Sequence, residues 1–93
     1  MIFVVVTYDI ADDRRRMKVM KMLEGYGQHV QESVFDCHLE RATYREMVAR
    51  LRKLIDGRSD NIRLYHLCQA DVGRIKRMGI AEPVRLHADF EII

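Results

Sequence analysis

The sequence predicts an α+β domain in which two amphipathic helices cover one face of an antiparallel sheet. Three observations carry that expectation. The chain opens on a β-branched and aromatic run, Ile2 to Asp9, that is apolar on both faces. Two stretches, Asp12 to Tyr26 and Thr43 to Ile55, repeat apolar residues at helical spacing. Strand-like segments separate and follow them, and 93 residues leave room for a single domain, residues 1–93.

In the first strand, Ile2, Val4, Val6 and Tyr8 share one face, and Phe3, Val5, Thr7 and Asp9 share the other. A strand apolar on both sides belongs at the centre of a sheet, with cover on both faces. Asp12 or Asp13 can cap the helix that follows, where the macrodipole favours acidic groups. Val19, Met20, Leu23 and Tyr26 form its buried stripe. Arg16 projects along that stripe one turn earlier, and an arginine there is expected to reach past the helix start toward the end of the first strand. The run Gln28 to Leu39 alternates as a strand, with a reversal placed around Asp36 to Leu39 where it can double back.

The second helix sets Tyr44, Met47, Val48, Leu51, Leu54 and Ile55 on one side, with Glu46 and Arg50 as an i,i+4 pair on the wet side. Asn61 to Cys68 reads as a further strand, and a short strand is expected at Ile75 to Met78. Val84 to Ile93 alternates Leu86, Ala88, Phe90 and Ile92 with charged residues and reads as a half-buried edge strand. The order is that of a ferredoxin-like βαββαβ sandwich with an additional C-terminal strand. Two helices cover only one face of such a sheet. The apolar second face is expected to be covered by a second copy, giving a homodimer through the sheets, with the last strand reaching the partner's sheet edge.

A formal net charge of +2 identifies no partner, but Arg14, Arg15, Arg16, Lys18 and Lys21 concentrate positive charge on one short segment. That cluster reads as a phosphate-binding face or as an ordinary solvated helix face. Ile2 to Val6 is too short for a membrane span or a secretory segment, so a cytoplasmic protein without a membrane partner is expected. Cys37 and Cys68 sit in apolar runs and read as reduced core thiols rather than a disulfide.

The chemistry-bearing candidate is Asp9. A carboxylate at the end of a central strand suits Mg²⁺ or Mn²⁺, which take oxygen ligands and keep several waters. One carboxylate is too few for a cage, but two copies of Asp9 at a dimer axis can share one ion, with nearby arginines holding phosphate oxygens in bidentate fashion. Taken alone, Asp9 reads first as a turn or pre-cap residue before a helix. His29, His38, His66 and His87 are spread too far for a metal-ligand spacing. Asp36, His38 and Glu40 lie closer together and read as a polar strand end. Ser33 lacks the glycine-rich elbow of a serine nucleophile, and no glycine-rich phosphate loop opens a helix.

Tyr8-Asp9-Ile10, Asp13-Arg14-Arg15-Arg16, Tyr26-Gly27, Gln31 and Ser33-Val34-Phe35 follow one another at close spacing. Together they resemble the second universal CRISPR-associated protein family, endoribonucleases found with the CRISPR integrase during spacer acquisition. The resemblance covers nearly the whole chain. It implies a ferredoxin-like homodimer with Asp9 of both protomers binding Mg²⁺, or Mn²⁺, at the interface. It places Arg14, Arg16, Ser33 and Phe35 at positions tied to activity or to the shape of the site. His29 stands where several relatives carry arginine. The function implied is a metal-dependent endonuclease acting on single-stranded RNA or double-stranded DNA in antiviral defence. A second class of function is a non-catalytic dimeric DNA-binding scaffold that bridges integrase dimers. The VapD-type toxin ribonucleases share the fold and give a third reading.

Overall fold

Ile2–Asp9 forms strand β1, and its apolar character on both sides puts it inside the sheet. The computed structural model describes residues 1–79 together with the backbone of 84–85 and 91–92. Helix α1 (Asp13–Glu24) follows, then β2 (Gln28–Gln31), β3 (Val34–Leu39), helix α2 (Arg41–Leu54) and β4 (Asn61–Leu67). The four strands make one antiparallel sheet in the order β2-β3-β1-β4. This is the ferredoxin-like βαββαβ arrangement, with the helices on one face.

The register sorts each strand into two faces. Val4 pairs with Cys37 and Val6 with Phe35, and all four are fully buried beneath the helices. Val19, Met22 and Leu23 of α1 and Met47 and Leu51 of α2 close this core. Fully burying an aliphatic or aromatic side chain contributes roughly 1.5–3 kcal/mol each, so this layer dominates stability. Asp12 caps α1 by accepting the Arg15 N–H at 2.8 Å, and the helix ends at Glu24, two residues short of the expected Tyr26. Gly27 then passes so close to β3 that a Cβ there would collide with the Asp36 carbonyl oxygen and Cys37 Sγ. Only glycine lets the loop into β2 lie against that strand.

The expected single strand Gln28 to Leu39 is two strands. The reversal falls at Glu32-Ser33, before Asp36, with a register shift between His29 and Gln31. Glu-Ser carries none of the glycine or asparagine signals of a tight hairpin. The turn is held from outside instead: the Tyr8 hydroxyl donates to the Glu32 carbonyl at 3.2 Å, and the Tyr8 N–H donates to the Ser33 carbonyl at 3.1 Å.

The strand expected at Ile75 to Met78 does not form. A short helix, α3 (Gln69–Val72), and irregular chain take its place, and Val72 packs on Phe3 from the sheet's second face. Cys68 leaves the apolar run and sits exposed at the start of α3, its thiol donating to Asp71 Oδ2 at 3.0 Å. Cys37 is buried, and both cysteines are free, as expected. Most of the C-terminal strand expected over 84–93 lies outside the described residues. Its described parts, β5 (Val84–Arg85) and β6 (Glu91–Ile92), pair antiparallel with each other. Glu46 and Arg50 do not pair directly but meet at Tyr26: its hydroxyl donates to Glu46 Oε1 at 2.6 Å and accepts from Arg50 Nη1 at 2.9 Å.

Candidate metal and nucleic-acid site on the open sheet face

Among the described residues, the second face of the sheet is covered at one end only. Phe3 is 4% exposed beneath Val72, with Val5, Leu67 and Ile75 packed around the pair. Toward the other end of β1 the face opens, and Asp9 is exposed there. Asp9 pairs with Asn61, Thr7 with Arg63 and Val5 with Tyr65 across the β1–β4 ladder. A shallow depression of about 260 Å³ results, lined by Thr7, Tyr8, Asp9, Asn61, Arg63 and Tyr65. Arg63 Nη1 donates to the Tyr65 hydroxyl at 3.3 Å, and Tyr65 is 48% exposed. Asn61, Arg63 and Tyr65 escaped the sequence reading, although they alternate with Ile62 and Leu64, a period of two that marks one polar and one apolar side.

Arg16 does reach past the helix start. Its Nη1 donates to the carbonyls of Ile10 (3.1 Å) and Ala11 (3.4 Å), and its Nη2 pairs with Asp13. It thereby fixes the loop that leaves Asp9, while Ile10 anchors that loop in the core at 3% exposure. The adjacent arginines behave differently. Arg15 forms a two-bond pair with Asp60, Nε to Oδ2 at 2.6 Å and Nη2 to Oδ1 at 3.0 Å, and the Asp60 side chain is fully covered. The Arg15 guanidinium holds the Asp60 carboxyl below the usual carboxylate range. Arg15 is thus a structural tie between α1 and the loop before β4. Arg14 is exposed and has no side-chain partner among the described residues, which leaves its guanidinium available to a ligand.

Ser33 is half-buried in the turn bonded to Tyr8, the residue before Asp9. Phe35 is fully buried on the helix face, stacked on His29 at 4.4 Å and on Tyr8 at 6.4 Å between ring centroids. With no exposed surface it positions Tyr8 and His29 rather than touching a ligand. The His29 Nε2–H donates to the same Glu32 carbonyl that Tyr8 engages, at 3.1 Å. Arg14, Arg16, Ser33 and Phe35 therefore flank or support the end of β1, and Asp9 alone of the expected residues lines the depression.

Among the described residues no three His, Cys, Asp or Glu side chains converge to hold a metal ion. Asp9 and the Asn61 amide oxygen are hard oxygen donors of the kind Mg²⁺ takes, yet they make half a site at most. The donor set fits a divalent cation only if a second copy faces it. Two further groups on the sheet respond to burial: the Asp36 carboxyl, on the open face opposite Val5, is pushed up, and the Cys37 thiol rises to about 12. No helix among the described residues is long and apolar enough to cross a membrane.

Comparison with known proteins agrees with the fold and the family resemblance. The chain matches the family model described as CRISPR associated protein Cas2 over residues 1–75. It is 44% identical to a CRISPR-associated endoribonuclease Cas2 of Chloroflexus aurantiacus, covering 98% of this chain and 99% of that one. The crystal structure of Streptococcus pyogenes Cas2 at pH 6.5 superposes with a TM-score of 0.73 at 35% identity, over 83% of this chain and 99% of that one. A chain of a partial Cas6-RT-Cas1–Cas2 complex superposes with a TM-score of 0.72 at 25% identity, over 84% and 91% of the two chains.

Proposed function

The chain belongs to the Cas2 family of CRISPR-associated proteins, and on that premise we propose that it is a metal-dependent endonuclease whose centre is completed by a second copy of itself. The observation that carries this reading is the position of Asp9: an exposed carboxylate at the end of the central strand, on the open part of the sheet face beside Asn61 and Arg63. Two such faces brought together would bury Val5 and Tyr65 and set two Asp9 side chains on either side of a two-fold axis. A Mg²⁺ or Mn²⁺ ion held there would supply an activated water and neutralise charge on a phosphodiester.

The chain's own residues supply the rest. Arg14, without a side-chain partner among the described residues, holds a phosphate oxygen. Arg16 keeps the loop after Asp9 from moving, so the carboxylate would be presented to the cation in one orientation. The Glu32-Ser33 turn, pinned by Tyr8 and stacked through His29 on Phe35, supports the strand end from below. The substrate class is nucleic acid, RNA or DNA, and the setting is spacer acquisition in antiviral defence.

A second reading has its own support, the likeness to a chain from a Cas1–Cas2 complex. In it the dimer is a non-catalytic DNA platform on which an integrase docks. One experiment separates the two. Cleavage of RNA and DNA is measured with and without Mg²⁺ for wild type, Asp9→Ala and Asp9→Asn, alongside spacer acquisition in cells. The nuclease reading expects cleavage to need Mg²⁺ and to fall at least ~100-fold in both variants. Cleavage that survives in a clean Asp9→Ala preparation overturns it. Acquisition that survives Asp9→Ala but weakens on charge reversal at Arg14 favours the platform.

A further inference from the structure

We propose that Asn61 is a second oxygen ligand that each copy gives to the divalent cation, and that the Arg15–Asp60 pair is what positions it. The inference rests on the metal-centre reading above and brings in residues which that reading does not use. Asn61 opens β4 and pairs directly with Asp9, the last residue of β1. Both are exposed, both line the same depression, and neither side chain has a hydrogen-bond partner among the described residues. Directly opposite residues of an antiparallel pair carry Cβ atoms about 4.5–5.5 Å apart. Neighbouring ligands of an octahedral Mg²⁺, each at about 2.0–2.1 Å, stand about 3 Å from one another. Two short side chains can close that gap by rotation about χ1 and χ2. The amide also suits the charge. Two Asp9 carboxylates already balance one divalent ion. A second pair of acids would leave the centre negative and repel a phosphodiester, whereas a neutral amide oxygen adds a ligand and no charge.

Consecutive arginines of α1 clamp the two segments that carry these donors. Arg16 holds the loop leaving Asp9, through the carbonyls of Ile10 at 3.1 Å and Ala11 at 3.4 Å. Arg15 holds the loop entering Asn61, through both carboxylate oxygens of Asp60, at 2.6 and 3.0 Å. The Asp60 side chain has no exposed surface and accepts two further bonds, from the Asp56 N–H at 2.8 Å and the Ser59 hydroxyl at 3.4 Å. Its own N–H donates to the Asp56 carbonyl at 2.8 Å. The residue before Asn61 is therefore fixed through side chain and backbone alike. β4 borders the four-stranded sheet, and Asn61 is its first residue. A strand end at such a border frays most readily, so a donor placed there needs an anchor.

The form of the anchor points to orientation rather than to stability. A covered ion pair is weak evidence for stability, because both charges give up water to make it. A two-bond fork, by contrast, fixes direction, which a lysine on its flexible stem cannot reproduce. Asn61 touches the cation in this account, and Arg15 and Asp60 act only through Asn61. Groups that stand behind a metal ligand in this way commonly change metal affinity about 10–100-fold when they are removed.

The test is Mn²⁺ binding to the full chain, read by electron paramagnetic resonance, with circular dichroism to confirm that each variant is folded. Wild type should bind in a way that Asp9→Asn abolishes. Asn61→Ala should weaken binding at least ~10-fold, and Arg15→Lys, which keeps the charge but loses the fork, by a similar factor. Asp60→Asn repeats the comparison from the other partner. Because Arg15 acts through Asn61, the double variant Arg15→Lys with Asn61→Ala should bind no more weakly than Asn61→Ala alone. Leu51→Ala, which opens the core beneath α2, should lower the melting temperature and leave Mn²⁺ affinity unchanged. In wild type, the side-chain amide resonance of Asn61 should shift when Mg²⁺ is added, a readout that needs no variant. Asp9-dependent binding that is indifferent to Asn61→Ala overturns the ligand and leaves the metal-centre reading standing. Losses that simply add in the double variant make the Arg15–Asp60 pair a structural tie and overturn its positioning role. Wild type that binds no Mn²⁺, or binding that survives Asp9→Asn, overturns the metal-centre reading and this assignment with it.

Discussion

One strand faces two different environments. On the helix side of β1, Val4, Val6 and Tyr8 meet Phe35 and Cys37 and are closed over by α1 and α2, leaving almost no exposed surface. On the other side, Phe3 is covered by Val72, but Val5 is only partly buried, Tyr65 beside it is exposed, and Asp9 stands in the open. The sequence of β1 is apolar on both sides and asks for two covers, and the described residues supply one and a fraction. The difference teaches where function lies. A fully covered face does the work of stability; the half-covered one, with a carboxylate at its end, is where the proposed centre is placed.

The contrast can be broken most severely from the covered side. Phe35→Ala empties the centre of the core and should cost about 3–5 kcal/mol, a large part of the 5–15 kcal/mol typical of a whole domain. Urea unfolding reads the loss directly, and a cost below about 1 kcal/mol would mean the helix face is not the stabilising one. The open side should behave in the opposite way. Tyr65→Asp should change folding stability by less than about 1 kcal/mol while shifting sedimentation from dimer to monomer. A dimer that tolerates a charge at Tyr65 would have to use another surface.

The smallest effect concerns Asp36, whose carboxyl on the open face is raised by burial. A carboxyl with a raised folded value binds its proton more tightly in the folded state. Its contribution is therefore most favourable at acid pH and declines as pH rises from the ordinary aspartate range through the raised value. Asp36→Asn should make the protein slightly more stable at neutral pH and flatten stability against pH in that window. Thermal melting over pH 3 to 7 measures it, and a steeper profile in the variant would contradict the burial.

Much of this was legible in advance. The central position of β1, both helices and the need for a second cover follow from periodicity alone, because a two-residue and a 3.6-residue repeat leave different traces. Arg16 was readable too, as an arginine on an apolar stripe has to leave the core. The hairpin at Glu32-Ser33 was not, because tertiary hydrogen bonds from Tyr8 hold it rather than turn residues of its own. Arg15 was hidden for a similar reason: its partner Asp60 lies 45 residues away, so in the sequence it looks like its neighbours. Arg63 and Tyr65 could have been found from their alternation, but only the pairing of β4 with β1 shows that they stand beside Asp9. The short strand expected at 75–78 does not form: Ile75 joins Val72 over the sheet end, while Met78 is exposed.

Mixing wild type with Asp9→Asn tests most directly whether two carboxylates from two copies form one centre. The two are combined in equal amounts, subunits are allowed to exchange, and Mg²⁺-dependent cleavage is compared with wild type at the same total concentration. If both Asp9 side chains are needed, only dimers with two intact copies act, and activity should fall to about one quarter. Activity near one half, the value for protomers that work alone, would contradict a shared centre on the open face.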